Sequence, residues 1–529
     1  MMFLFELAIY GAVAYTIYLF FGYVYSIPLE KILKEYFYKI IFMIPHYQKK
    51  LEKLRDEKEK FIKSAEKSTF HHIEKIYDDL PEDGISKDEI LSRWDNLDKW
   101  SSGKISGAVY NINPELDDLI LDVTRVSLKS NPLHSDMFPI ERQARAEIIN
   151  FTRKLFHGDN NAVGVITSGG TESILMACLA ARNRAYDLYN ITNHEIVVPA
   201  SAHAAFDKAG SYFGIKIIRV PLDHNFMVDI SEVKKAINKN TVMVVGSYPN
   251  FPQGIIDPID KLSRLLEQYN GRIGLHVDAC LGGFLIPFMI KAGYNIPIFD
   301  FSLAGVTSLS ADTHKFGNGP KGVSVLLYRD RDWRKYQYSS STNWMGGIYG
   351  TPCMSGSHSG SIISATWAVM MKLGQKGYTT YTKKIMQLTK NIIDDMKEIK
   401  EIEILGDPQL SVIAFTFKND SENSLNIYDL QDEMKKRGWF LNELQYPAAL
   451  HICITSTHTQ IDDFESLFIR DLQDSISALK LRPKTEKLGS TATLYGEMQK
   501  IPTEFAIQFL ELYFDINHQH APKSFDINH

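Results

Sequence analysis

The residues best suited to covalent chemistry lie in the stretch SADTHKFGNGPKG, Ser310 to Gly322. An apolar run, Phe299 to Leu309, leads into it, and the glycines and proline that follow Lys315 rule out a regular helix. Lys315 is therefore expected at the end of a strand. An amine in a partly dry place, with His314 and Lys321 as cationic neighbours, loses its proton more easily and becomes nucleophilic. Those are the needs of a lysine that forms a Schiff base. A lone strand-end lysine more often snorkels to water, so its partners decide the matter.

Three further groups of residues follow apolar runs in the same way. In SGGTES, Ser168 to Ser173, two glycines allow close backbone approach. The first-turn N–H groups, with the Thr171 and Ser173 hydroxyls, would hold a phosphate dianion. The stretch has neither a Walker lysine nor dinucleotide GxGxxG spacing, so a nucleotide is not implied. In HVDAC, Asp278 closes a strand and needs a cationic partner or several hydrogen bonds, and a protonated pyridine nitrogen would be such a partner. In SAHAAFDKAG, Ser201 to Gly210, His203 opens a helix, where a flat imidazole can stack on a heteroaromatic ring. Taken singly, these residues read as a helix cap, an N-capping aspartate and a capping histidine. Together with Lys315 they make a phosphate cradle, a ring stack, a ring-nitrogen carboxylate and an imine-forming lysine. One cofactor, pyridoxal 5'-phosphate, accounts for all four.

The elements that must position these residues follow from the same pattern. Apolar strand-like runs at 162–166, 195–198, 216–220, 242–246, 274–277 and 323–328 alternate with helical segments, which predicts an α/β body with a mostly parallel sheet covered on both faces. Open sheets of this kind bind ligands at the C-terminal ends of their strands. A second set of short strands near 403–404, 411–417 and 451–455 predicts a smaller α+β domain. Residues 105–365 are assigned to the large domain, 366–510 to the small one, 30–104 to a helical connector and 511–529 to a disordered tail. A 529-residue chain that is 44% hydrophobic is large enough for such a division. Its net charge of -5, with no basic tract, argues against nucleic acid as a partner. Cys178, Cys280, Cys353 and Cys453 lie far apart, without the spacing of metal ligands.

Leu7 to Leu29 contains no charged residue, long enough for a membrane-spanning helix, and residues 1–29 are expected to be a retained anchor. Lys31, Lys34, Lys39, Lys49 and Lys50 follow it and place the body on the cytosolic side. Apolar residues from Leu29 to Ile44 then repeat at helical spacing, as in an amphipathic helix on a bilayer, a partner chain or the core.

The longer motifs TSGGTES, SAHAAFDKAGSYFG, HVDACLGGF, SADTHKFG, GGIYG, GDPQLSVIAF and LQYPAALHICIT carry a resemblance from about residue 90 to about residue 500. The body resembles the fold-type I pyridoxal-phosphate enzymes of the group II decarboxylase family, and among them the lyases of phosphorylated sphingoid bases. That resemblance implies Lys315 as the imine lysine, Asp278 as partner of the pyridinium and His203 as the ring stack. It implies Ser168 to Ser173, with Gly169, Gly170 and Thr171 among them, and His314 around the cofactor phosphate, and Tyr110, His134 and Lys321 around a substrate phosphate. The reaction implied is retro-aldol cleavage of the C2–C3 bond to a fatty aldehyde and phosphoethanolamine, in a homodimer anchored in the endoplasmic reticulum membrane. One loop departs from the family: Gly-Ser-Arg-Pro-Gly is replaced by GSHSG, Gly356 to Gly360, where Ser357 and Gly360 remain candidates to serve a neighbouring subunit's cofactor. An amino-acid decarboxylase is the rival. It must grip an α-carboxylate, generally with an arginine, and none stands in the motifs.

Overall fold

Two interleaved apolar sets run along the strands of the main sheet, and they explain why it is buried on both faces. In β2 (Glu195–Pro199), β4 (Thr241–Ser247) and β7 (Ser324–Tyr328), Val197, Val244, Val325 and Leu327 join one hydrophobic core. Ile196, Val198, Met243, Val245 and Leu326 join a second core on the opposite face. Successive side chains of a strand point to opposite faces, so a continuous apolar run fills both.

The computed structural model describes residues 62–63, 77, 79–94, 102–418, 425–483, 491 and 503–518. The chain divides into two compact units: residues 96–496, and residues 1–95 together with 497–529. In the larger unit, helices α1 (Pro114–Ser127) and α2 (Pro139–Leu155) precede β1 (Val163–Thr167) and α3 (Gly170–Tyr189). Then come β2, α4 (Ala205–Phe213), β3 (Lys216–Val220), α5 (Ile230–Ala236), β4, α6 (Ile259–Glu267) and β5 (Gly274–Asp278). Next are α7 (Ile286–Lys291), β6 (Val306–Asp312) and β7. The seven strands lie in the order β1-β7-β6-β5-β4-β2-β3. All neighbours are parallel except β7, which is antiparallel to both β1 and β6. Two antiparallel steps restore direction, so β1, β2, β5 and β6 all end on the same edge. The six strands expected from sequence agree with β1 to β5 and β7 to within one residue at each end, whereas β6 was expected only as the apolar run Phe299 to Leu309 and ends at Asp312, before Lys315.

After an exposed hairpin, β8 (Ser339–Trp344) and β9 (Gly347–Thr351), comes the long helix α8 (Gly360–Lys397), interrupted at Gly374 (φ 54°, ψ -175°). Only glycine adopts that conformation without strain. The domain boundary expected at 365/366 falls inside α8, which continues from one sheet to the other. The smaller sheet has the order β10-β11-β13-β12, built from β10 (Ile402–Ile404), β11 (Val412–Phe417), β12 (Asn442–Gln445) and β13 (Ala448–Cys453). It is covered by α9 (Ile427–Lys436) and α10 (Phe464–Leu481).

In the second unit, Ser86 caps a short helix, Lys87–Ser92, its Oγ accepting from the Glu89 N–H at 3.2 Å. A further helix spans Thr503–His518, so the tail expected to be disordered from residue 511 is helical through His518. The segment EFAIQFLELYFDINH has no glycine or proline and repeats apolar residues at helical spacing, which accounts for the helix. The anchor expected over 1–29 and the amphipathic segment after it lie outside the described residues. Among the described residues no helix is long and apolar enough to cross a membrane.

Candidate functional site

The alternation of β5 and β6 sets the floor of the site. Leu275, Val277, Leu309 and Ala311 point into one core, which turns His276, Asp278, Ser308, Ser310 and Asp312 to the other face. Register then pairs them, His276 with Ser308 and Asp278 with Ser310. His276 Nδ1 lies 2.9 Å from Ser308 Oγ and its Nε2 lies 3.3 Å from Ser310 Oγ. Ser310 Oγ donates in turn to Asp278 Oδ1 at 3.5 Å, and Asp278 Oδ1 also accepts from the Cys280 N–H at 3.1 Å. Burial pushes His276 down to about 4, so it is neutral at neutral pH, and Asp278 is the one carboxylate among the four paired residues.

Lys315 lies three residues past the end of β6, and its Nζ is 3.0 Å from Asp312 Oδ2. Here the structure corrects the expected electrostatics. Burial is the largest single influence and lowers the amine, but the Asp312 carboxylate leads the opposing ones, and together these hold Lys315 above the ordinary lysine value. A carboxylate at hydrogen-bond distance dominates the more distant cations, and Asp312 was not among the neighbours expected from sequence.

Gly170 opens α3 directly against these groups. A Cβ there would lie 2.8 Å from Asp312 Oδ2 and 2.9 Å from Cys280 Sγ, so only glycine lets the helix start so close. His314 completes this corner. Its Nδ1 bonds the Val323 carbonyl at 2.9 Å, and a Cβ on Gly169 would lie 3.6 Å from its Cε1. Thr171 is exposed on the first turn of α3. The expected roles of the two serines change. Ser173 is buried, with its Oγ 2.7 Å from Thr167 Oγ1 and 2.9 Å from Ser324 Oγ, and it ties α3 to the sheet instead of facing a phosphate. Ser168 gives both its N–H and its hydroxyl to Glu172 Oε2, at 2.7 and 2.5 Å.

Tyr110 and Lys321 meet at the same corner, with Lys321 Nζ 5.0 Å from the Tyr110 ring centroid. Lys321 Nζ also donates to the His314 carbonyl at 3.4 Å. Tyr110 packs edge-on against Phe316 at 5.1 Å, and Ser456 Oγ pins its carbonyl at 2.5 Å. Burial raises its phenol, so Tyr110 is a neutral donor. The Gly107 N–H donates to the Cys453 carbonyl at 3.1 Å, which docks this N-terminal strip onto β13.

His203 follows β2 at the same edge of the sheet. Its Nδ1 accepts the Ala205 N–H at 3.1 Å, the capping arrangement open to it from sequence, and the residue is otherwise exposed. His134 lies elsewhere, exposed in the loop between α1 and α2. In that loop Asn131 Nδ2 donates to Ser357 Oγ at 3.1 Å and the Ser130 carbonyl accepts the Gly360 N–H at 3.0 Å. Of the three, His134 and Ser357 lie on the surface at this contact and Gly360 is buried in it, and among the described residues no hydrogen bond or ion pair joins them to Lys315. Glu172 Oε1 accepts the Met354 N–H at 2.9 Å and so links that surface back to the start of α3.

The arrangement fits pyridoxal phosphate on its own geometry. It offers a helix N-terminus with a glycine where no Cβ fits, a lysine amine beside it, and an aspartate closing the adjacent strand. Gly169, Gly170, Thr171 and His314 would hold the phosphate. Asp312 Oδ1, buried with no hydrogen-bond partner, is a further acceptor left at the site. Two cavities, of about 440 and about 450 Å³, lie elsewhere and contain none of these residues.

Residues 122–418 match the family model of the pyridoxal-dependent decarboxylase conserved domain. The chain is 42% identical to sphingosine-1-phosphate lyase 1 of Mus musculus over 492 residues, 91% of this chain and 84% of the relative. It is 41% identical to the Drosophila melanogaster sphingosine-1-phosphate lyase over 481 residues, 90% of this chain and 86% of that one. Among solved structures, the Burkholderia pseudomallei sphingosine-1-phosphate lyase superposes with a TM-score of 0.75 at 36% identity, covering 84% of this chain and 98% of its own.

Proposed function

The chain belongs to the sphingosine-1-phosphate lyases of the pyridoxal-dependent decarboxylase family, and from that premise we propose that it cleaves the C2–C3 bond of phosphorylated long-chain sphingoid bases. The products are a fatty aldehyde and phosphoethanolamine. The observation that carries this reading is the corner where the Lys315 amine, Asp312, Gly170 and the Lys321–Tyr110 pair converge. When bound, pyridoxal phosphate supplies an aldehyde for the substrate amine and a ring that accepts the electrons of the breaking bond.

The chain's own residues do the rest. Asp278 would hold a positive charge at the ring nitrogen, and His203 would cover a ring face. The start of α3, with His314, takes the cofactor phosphate. Lys321 and Tyr110 take the substrate phosphate, one as a cation and the other as a phenolic donor, which sets C2–C3 over the site. Lys315 donates its amine proton to C2 after cleavage.

The homodimer is part of this reading. The surface carrying His134 and Ser357, with Gly360 buried behind it, is where a second subunit would bring a phosphate, and a dimer would complete the site with them. Membrane attachment through residues 1–29, in the endoplasmic reticulum with the body in the cytosol, rests on the uncharged stretch and the lysines after it. Fractionation of a chain lacking residues 2–29 tests it: the protein should leave the membrane and keep turnover of a short-chain, soluble substrate.

The rival reading, an amino-acid decarboxylase, has no substrate phosphate to hold. Lys321→Ala should therefore lower kcat/KM for the base phosphate by about tenfold or more, roughly 1.4 kcal/mol, with little effect on the unphosphorylated base. Cofactor occupancy should stay normal. Equal losses on both substrates would remove Lys321 from phosphate recognition.

A further inference from the structure

The carboxylate that ends β6 has two oxygens in unequal surroundings. Asp312 is buried, with its side chain 2% exposed. Its Oδ2 lies 3.0 Å from Lys315 Nζ and 3.7 Å from His314 Nε2, while its Oδ1 has no hydrogen-bond partner. Gly170 closes over both, since a Cβ there would lie 2.8 and 2.9 Å from the two oxygens. A buried carboxylate with one oxygen left unmatched is costly unless the other oxygen meets a cation. Among the described residues, Lys315 is the only lysine or arginine within ion-pair distance of it.

We propose that Asp312 is a positioning residue that holds Lys315 as an ammonium whenever its amine is not bonded to the cofactor, storing at Nζ the proton that C2 needs after cleavage. The proposal rests on the lyase reading. Transfer of that proton to C2 leaves Nζ with a free lone pair, so one residue is a proton source first and a nucleophile afterwards.

The groups around Nζ come from several elements. Burial raises the Cys280 and Cys453 thiols and the Tyr110 phenol, so all three stay neutral and none competes as an anion. His314 is lowered by burial and stays neutral. Lys321 adds a cation that opposes the effect, and Asp278 bonds the Cys280 N–H on the neighbouring strand. The Asp312 carboxylate is left as the anion at hydrogen-bond distance.

The test reads the amine itself. Full-length protein is freed of cofactor with hydroxylamine and dialysed, then labelled briefly with acetic anhydride across a pH series. The extent of modification at Lys315 is followed by peptide mass spectrometry, with exposed Lys376 as the internal reference. In the wild type the midpoint for Lys315 is expected to lie at least about one pH unit above that of Lys376. Asp312→Asn should bring it down by about one unit or more, about a tenfold gain in labelling at fixed pH, and Asp312→Glu should restore it. The pH dependence of pyridoxal phosphate uptake, read from visible absorbance, should move the same way. A wild-type midpoint at or below that of Lys376 overturns the proposal, and that measurement stands even if Asp312→Asn fails to fold. An unmoved midpoint in a folded Asp312→Asn overturns it too. Labelling uses no substrate, so absent aldehyde release would sink the lyase reading and leave this result intact.

Discussion

Replacing Lys315 by alanine is expected to abolish turnover, by on the order of 10^4-fold or more, and with it the visible absorbance and the borohydride-trappable adduct of the cofactor. The reason is local. Among the described residues no other lysine or arginine pairs with Asp312, and the phosphate cradle at Gly170 lies directly against that pair. Cofactor content should fall less than activity, because the start of α3 and His314 do not depend on Nζ. The substitution also strips Asp312 of its cation and leaves a buried carboxylate unpaired, which costs about 1–3 kcal/mol or forces the group to take up a proton. A lower melting temperature should therefore accompany the loss of activity. An adduct band of wild-type strength in Lys315→Ala would withdraw the cofactor assignment.

Asp278→Asn should have the second largest effect. Asparagine keeps the shape and can still accept the Cys280 N–H and the Ser310 hydroxyl. Only the charge is lost. His276 is kept uncharged by burial and the serines beside it are neutral, so neither replaces the lost anion. The ring nitrogen then loses the partner that keeps it protonated, and the electrons of the breaking bond lose their sink. The rate should fall by about a hundredfold or more, roughly 2.7 kcal/mol of barrier, with cofactor content close to normal. Spectrophotometric cofactor content and single-turnover rates measured on one preparation separate the two. A rate within about tenfold of wild type would mean that Asp278 is a structural cap and nothing more.

Much of this site was legible in the sequence because its residues follow strands. Apolar runs marked β1, β2, β5 and β6, and the polar residues after them had to share one edge of a parallel sheet. Lys315, Asp278, Gly170 and His314 were found in that way. Side-chain direction was harder. Ser173 reads like a phosphate ligand in SGGTES, yet one turn into α3 it points at the sheet, where Thr167 and Ser324 take its hydroxyl. Asp312 was overlooked although its signal was present: Ser308, Ser310 and Asp312 occupy alternate positions of one strand, opposite His276 and Asp278. Small polar residues at every second position of a buried strand mark a face turned toward a polar ligand. The neighbours of Lys315 were judged by sequence distance, which gave weight to His314 and Lys321 and none to the carboxylate at 3.0 Å. The antiparallel placement of β7 could not be read from its residues, since VSVLLY is equally suited to either direction. The β8–β9 hairpin, exposed along nearly its whole length, has no buried face to produce alternation.

The central claim is the bond that breaks, and product analysis tests it most directly. Purified full-length protein with pyridoxal phosphate is given a sphingoid base phosphate, and the mixture is analysed for long-chain aldehyde, phosphoethanolamine and carbon dioxide. Aldehyde and phosphoethanolamine are expected in equal amounts, with no carbon dioxide from aromatic or acidic amino acids offered in parallel. Carbon dioxide release from an amino acid, together with an untouched sphingoid base phosphate, would contradict it and place the protein among the decarboxylases.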